Sequence, residues 1–435
     1  MKQSPPPRNS HFRVLTSLLT ILFVVLWNQS PDALAASKFK VLHAFKSGND
    51  GNFPWNNLVF DASGNLYGAT ESGGGGGTQH CGFGGCGTVF QLSPNSNGQW
   101  TESVLHSFSY YDGADPQGEL IFDSAGNFFG TAFIGGVGGD NENGTVFELT
   151  YNSDAWTTNL LYTFCDQVKC TNGFEPRAGV VMGDAGNLYG ATALGGTKGF
   201  YGLGVIFELT SGSTGWTENV LYDFCSQGTN CGNGAEPAAG LTRGSDGNLY
   251  GIAVFGGENT FPCRGGCGLV FRLVHHAASG WTYDVLHRFN GHDGANPGGL
   301  VFDRQGNLYG TTTDGGAFGF GTAFRLTPTS HGWDSTVLYN FRSHATFDPP
   351  VFDATNNLYG TTSDGGGTCR CGEVYKLSPG GRYGRWTYHS LYRFTGGDDG
   401  GFPQGGVILD DDGNLFGTTS MYGRDGYGVV FELTP

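Results

Sequence analysis

The sequence predicts an all-β protein: a seven-bladed β-propeller of four-stranded antiparallel blades, with the ring closed by the N-terminal strand pairing with the last blade. Three observations predict it. A phrase of hairpin character recurs seven times in 435 residues, each recurrence sits within the same succession of four strand-like runs, and the two chain ends hold complementary parts of one such unit.

The first 35 residues stand apart from the repeats. Lys2, Arg8 and Arg13 precede an apolar run from Val14 to Trp27, and Ala33-Leu34-Ala35 supplies the small residues that a signal peptidase accepts. Residues 1–35 therefore read as an export signal cleaved after Ala35, with an uncleaved signal anchor as the alternative. Residues 36–435 are expected to form one propeller domain, secreted or periplasmic, with no membrane span after signal cleavage. Removing 1–35 takes away three Lys/Arg and one Asp, so the formal charge moves from −16 to −18. Such a surface repels phosphate backbones and anionic lipid, which argues against a nucleic-acid partner. The 78 glycines alone would suggest disorder, but 34 Phe and 19 Tyr at regular spacing argue for short packed strands, and a monomer is expected.

The repeated phrase is Gly64-Asn65-Leu66-Tyr67-Gly68, then GNFFG from Gly126, GNLYG from Gly186, Gly247 and Gly306, NNLYG from Asn356 and GNLFG from Gly413. Self-similarity at this spacing of about 50 to 62 residues means stacked supersecondary units that bury their faces on one another. The second repeat shows the four runs, here called a to d: ELIFD from Glu119, NFFGTA from Asn127, GTVFELT from Gly144 and WTTNLLYTF from Trp156. Runs a and b are joined by Asp-x-x-Gly, where Asp caps the turn and Gly, or Asn at 356, takes the left-handed conformation. Run d alternates with period two, which places Trp216, Glu218, Val220, Tyr222 and Phe224 on one face. Residues 38–45, KFKVLHAF, match run d, and the last repeat ends after run c, so the N-terminal segment is expected to complete the seventh blade. An open solenoid, the alternative, has no need of such complementary ends.

The phrases GNLYGTT, GG and GVVFELTP resemble the GloVer tandem repeat of exported bacterial proteins, in all seven units. The resemblance implies an exported repeat protein of the choice-of-anchor kind and supplies no catalytic residue. Members often carry a C-terminal sorting anchor; none is expected after the final VFELTP.

In a propeller the b–c and d–a connections share one face, and here they are long and different in every blade, which is where function usually sits. All ten cysteines fall in them, as Cys81/Cys86, Cys165/Cys170, Cys225/Cys231, Cys263/Cys267 and Cys369/Cys371. An even count in an exported chain reads as local disulfides, each contributing roughly 2 kcal/mol by the chain-entropy argument. Zinc is the alternative, with Cys165/Cys170 and Cys225/Cys231 as the pairs that could pool. His43, His106 and His287 share a run-d slot with Tyr162, Tyr222, Tyr339 and Tyr392 and read as structural; His80, His292 and His344 lie on the variable face, where a metal triad is the alternative.

A second phrase precedes run a: DGNFP from Asp50, DGADP from Asp112, NGFEP from Asn172, NGAEP from Asn233, DGANP from Asp293 and DGGFP from Asp399. It is turn chemistry. Its functional reading is a ring of carboxylates at the channel mouth, with Asp50, Asp112, Asp293 and Asp399 as candidate ligand-binding residues and calcium as a candidate cofactor. DDDGN from Asp410 resembles part of a calcium loop without the rest of it. Six tryptophans open run d, whereas Trp55 stands where other repeats have Gln117, Arg177, Ala238, Gly298 and Gln404. It is a candidate for stacking on a ligand or for covering the ring closure; Phe200, Tyr201, Phe318, Phe320 and Tyr422 add aromatic character to the same face. The reading is a binding or scaffold propeller presenting this face to an extracellular glycan, peptide or protein. The alternative is a hydrolase or lyase at the same face. No nucleophile elbow, His-Glu-x-x-His pair or phosphate loop is present, and Glu71, Asp140 and Glu142 are non-repeat acids without an evident partner in the sequence.

Overall fold

The computed structural model describes Met1 and residues 37–435, apart from 76–80, 82–83, 138–142, 199–201, 227–230, 258–262, 264 and 381–384. The export signal and His80, Asp140, Glu142, Phe200 and Tyr201 thus lie outside the described residues. The chain forms seven antiparallel sheets in a ring, one per repeat. In the second blade strand a is Ile121–Phe122, b is Phe128–Ala132, c is Thr145–Asn152 and d is Ala155–Thr163. Strand a is much shorter than the run ELIFD, because Glu119 belongs to the segment that lines the central channel. The first blade gains a fifth strand, Asn52–Pro54, paired with its strand b.

Lys38–Ala44 is strand d of the seventh blade. It pairs antiparallel with Val429–Thr434, from Lys38 opposite Thr434 to Ala44 opposite Val429. Closed in this way, the seventh blade has the same four strands, a to d, as its neighbours.

Five of the seven a–b hairpins are held by the aspartate of Asp-x-x-Gly, whereas Gly183 and Gly244 take its place in the third and fourth blades. Asp61 Oδ1 accepts hydrogen bonds from the backbone N–H groups of Ser63 and Asn65, and Oδ2 accepts from Asn65 Nδ2 and the Tyr67 hydroxyl. Gly64 has φ +80°, and Asn356 fills that position at φ +64°. The second glycine of the phrase has a different purpose. A Cβ on Gly68 would stand 2.7 Å from Phe90 Cζ, and one on Gly130 2.6 Å from Phe147 Cζ, so this glycine seats the strand-c ring flat on strand b.

Those rings build the interfaces between blades. Phe45, Phe108, Phe164, Phe224, Phe289, Phe341 and Phe394, just past each strand d, meet Phe90, Phe147, Phe207, Phe271, Phe324, Tyr375 and Phe431 on strand c of the next blade. Centroid separations are 5.0 to 5.4 Å, mostly edge to face, and all these rings are buried. Such pairs add about 0.5–1.5 kcal/mol each beyond their buried area.

The alternation expected along strand d fails at one point. In the third blade Val220 pairs with Phe207 and Tyr222 with Ile206, so Leu221 is an extra residue in a β-bulge. The bulge turns Val220 outward, at 36% exposure, while Leu221 and Tyr222 pack on the core. Similar register shifts occur between strands c and d of the other blades, and they bend each strand d around the rim.

Candidate functional site

The d–a segments of the seven blades run side by side around the axis and are clipped to one another. Asn56 Nδ2 donates to Pro116 O and Gly118 O. Strand-b threonines repeat the device: Thr131 Oγ1 donates to Ala178 O, Thr311 to Thr346 O, Thr361 to Gly405 O and Thr418 to Asn56 O. These segments are packed closely enough that a Cβ on Gly118 would lie 2.6 Å from Gly179 N.

They enclose a central cavity of about 740 Å³. The residue at the Trp55 position of the repeat lines it from blade after blade as Trp55, Gln117, Arg177, Ala238, Phe347 and Gln404. Deeper in lie Asn56, Glu119 and Asp348, and Arg243 marks the far end, paired with Asp184. Trp55 is 38% exposed and Phe347 47%. Asn56 is 4% exposed, and its Oδ1 has no hydrogen-bond partner among the described residues.

Glu119 and Asp348 form a carboxylate pair in the channel. Each keeps one edge toward the cavity, but protein surrounds both closely enough that their charges are poorly solvated. Glu119 accepts a hydrogen bond from Asn57 Nδ2, and Asp348 Oδ2 accepts from Gly406 N at 2.9 Å. Burial raises both pKa values; the Asn57 bond works against the rise at Glu119, while at Asp348 the facing Glu119 charge drives the carboxyl well above its ordinary range. The charge of one carboxyl therefore disfavours ionisation of the other. Nearer the mouth, burial and the charge of Glu71 push Asp115 to about 7, and Gln117 Nε2 donates to it at 2.9 Å. Arg177 pairs with Glu175, lies 5.0 Å over the Phe133 ring and holds down the pKa of Glu236, which burial raises.

The other expected residues lie elsewhere. Asp50, Asp112, Asp293 and Asp399 do not line the cavity. Each caps its own loop by accepting from a backbone N–H, of Lys46, Ser109, Asn290 and Thr395 respectively. Each also meets the strand-d His or Tyr of its own repeat: His43 at 3.1 Å, His106 at 2.9 Å, His287 at 2.9 Å and Tyr392 at 2.9 Å. Burial would raise the carboxyls of Asp50, Asp112 and Asp293, but these bonds outweigh it and hold them below the usual range. The second phrase and the run-d histidines are therefore two halves of one loop cap. Both Asp410 oxygens are taken up inside its hairpin, by Asp412 N, Asn414 N and Asn414 Nδ2. His344 sits between Asp364 and Asp314 and packs on Phe320; Arg342 lies 4.1 Å over Phe318, and Tyr422 stacks on Phe402.

All ten cysteines are paired with their sequence neighbours, Cys81 with Cys86, Cys165 with Cys170, Cys225 with Cys231, Cys263 with Cys267 and Cys369 with Cys371. Cys165/Cys170 and Cys225/Cys231 thus do not pool, and five disulfides fit an oxidising, extracytoplasmic compartment. No helix among the described residues is long and apolar enough to cross a membrane.

Sequence reasoning reached Trp55 because it broke the repeat, but passed over Glu119 and Asp348. The signal was available: Glu119 stands where other repeats have Asn57, Gly179 and Gly240, and Asp348 lies in HATFDPP, the one departure from the second phrase.

A comparison with curated protein sequences finds no match. Among solved structures, the chain is similar to the extracellular domain of the one-component system BT4673 from B. thetaiotaomicron, at 12% identity and TM-score 0.52, covering 91% of this chain and 41% of that one. It is similar to PorZ, a surface component of the type-IX secretion system of Porphyromonas gingivalis, at 15% identity and TM-score 0.50, covering 90% and 47%. The periplasmic gluconolactonase PpgL of Pseudomonas aeruginosa matches at 12% identity and TM-score 0.49, covering 83% and 98%. The chain spans less than half the length of the first two, and likeness at this level shows the fold alone. The Gloeobacter/Verrucomicrobia repeat matches residues 32–167, 75–263 and 138–351, well over half of the sequence, and the chain therefore belongs to the Gloeobacter/Verrucomicrobia repeat family.

Proposed function

We propose that this protein is an exported binding propeller, secreted or periplasmic, that takes a hydroxyl-rich ligand, a glycan segment, into its central cavity. One observation carries the reading: a single repeat position supplies an indole, two carboxamides, a guanidinium and a phenyl ring to one cavity while its scaffold stays constant. Planar aromatic surface beside amide and charged hydrogen-bonding groups suits a sugar ring, which offers an apolar face and a rim of hydroxyls. The test is a panel of oligosaccharides titrated against the purified protein, followed by calorimetry. Trp55→Ala should weaken binding about tenfold or more, a loss of at least about 1.4 kcal/mol, with little change in Tm. Early unfolding with binding intact makes Trp55 a packing residue and removes the reading's main support.

The Glu119/Asp348 pair favours a second reading, a hydrolase or lyase at the same cavity. Two carboxyls that oppose each other's ionisation in one cavity supply candidate acid and base groups. If a bound saccharide is turned over, Glu119→Gln and Asp348→Asn should each abolish turnover and leave binding within a few fold; turnover that survives both changes excludes the pair as its source.

A further inference from the structure

The strand-d His or Tyr of each blade faces the strand d of the next blade, two residues after that strand's opening tryptophan. At three of the seven seams two rings stack there, Tyr222 on Tyr283, Tyr339 on Tyr388 and Tyr392 on Phe39. Beyond His106 and His287 the equivalent positions are Thr158 and Ser335, and beyond Tyr162 it is Glu218, which faces no histidine. At the ring-closing seam the position is Glu102, on the first blade's strand d, Trp100–Ser107. It faces His43, on the strand that completes the seventh blade, and Asp50, which follows that strand.

His43, Asp50 and Glu102 each offer a ligand atom, and these atoms all lie within 4.8 Å of one another. It is the one such His/Cys/Asp/Glu group among the described residues. His43 Nε2 lies 3.1 Å from Asp50 Oδ1. Glu102 Oε1 is buried and has no hydrogen-bond partner among the described residues. The Glu102 and Asp50 carboxylates face each other here, so their charges repel one another without an intervening cation or proton. Lys46 is the basic side chain that faces the group; it is exposed, and its flexible stem can turn away. The His43 and Asp50 side chains are 15% and 18% exposed, and a surface hollow lined by Asn49, Asp50, Glu102 and Ser107 leaves a path from solvent.

We infer that His43, Asp50 and Glu102 form a divalent-cation site at the ring closure, with zinc as the matching ion. An imidazole with two carboxylates is a donor set for zinc, with a fourth position left to water, whereas calcium takes six to eight oxygens. The ligands come from both sides of the closure, so the ion would bind the closed ring and not the open one, adding to its stability by mass action. The site is separate from the central cavity, and its test is independent of any saccharide.

The experiment uses the full mature chain, stripped with chelator and titrated with zinc chloride, with bound metal counted by elemental analysis and Tm read in parallel. One tight equivalent and a Tm raised by a few degrees are expected. Glu102→Thr, which installs the residue the next blade carries there, should lower that affinity at least about 100-fold while leaving far-UV circular dichroism unchanged. Thr158→Glu, beside His106 and Asp112, should add a second equivalent. Unchanged stoichiometry and affinity in Glu102→Thr, no tight zinc in the parent protein, or occupancy by calcium in preference to zinc would each overturn the assignment.

Discussion

Gly130 has nothing to do with a turn: a Cβ there would press on Phe147 Cζ at 2.6 Å and Leu120 Cδ2 at 2.9 Å, inside a core with no room to yield. Gly130→Ala should destabilise by about 1–3 kcal/mol, read from denaturant unfolding, whereas Gly98→Ala, with nothing within 4 Å of the new Cβ, should cost only the strain of its positive φ. Asp348 and Glu119 oppose each other in the channel, and their repulsion grows as rising pH ionises both. Asp348→Asn should therefore raise Tm by a few degrees at pH 8 and change it little at pH 4, where the parent pair is protonated. An equal effect at both pH values would mean that packing and the Gly406 N–H bond, not charge, dominate at this position.

The element that matters most is the closing strand. Lys38–Ala44 supplies the outer strand of the seventh blade, while Phe45 meets Phe90 across the seam and Phe39 stacks on Tyr392 and Phe431. Deleting residues 38–46 exposes the edge of Val429–Thr434 and removes the ring contacts of Phe39 and Phe45 at once. The shortened chain should aggregate or melt well below the parent, and the peptide KFKVLHAF added in excess should partly restore it by pairing with the open edge. A deletion variant with the parent's melting curve would refute the closure. The bulge in strand d belongs to this scale too: it lets an outer strand wrap the rim while its last aromatic residue still reaches the core.

Over the whole molecule, two populations of carboxyl groups set the response to pH. Asp50, Asp61, Asp112, Asp246, Asp293 and Asp353 have folded-state pKa values lowered by hydrogen bonds that outweigh their burial. Their contribution is present above the unfolded value near 4 and is lost as pH falls below it. Asp115, Glu102 and Glu218 are raised to about 7, mainly by burial and then by neighbouring acids. The folded state holds these protons more tightly than the unfolded chain does, so their contribution is full below about 4 and lost as pH rises to about 7. The first loss sets in below about 4 and the second above it. Tm should peak at about pH 4 to 5, fall by several degrees by pH 8 and fall again below pH 4; Asp115→Asn with Glu218→Gln should flatten the alkaline side. A maximum above pH 7.5 would contradict the assignment.

The sequence by itself determined the blade count, the hairpins, the ring closure and the local pairing of the cysteines, because each depends on residues near one another in a repeat that reports itself seven times. Trp55 was visible for the opposite reason, as an exception to that repeat. Only the tertiary structure decided that the second glycine of the phrase seats a ring from another strand, that the Asp-Gly phrase and the strand-d histidines complete one cap, and that Glu119 and Asp348, 229 positions apart, share one channel. Closing the ring brings the second and sixth blades to face each other across the axis, and it brings His43 to Glu102. Such proximities belong to the curvature of the whole sheet array, and no local pattern of apolar and polar residues encodes them.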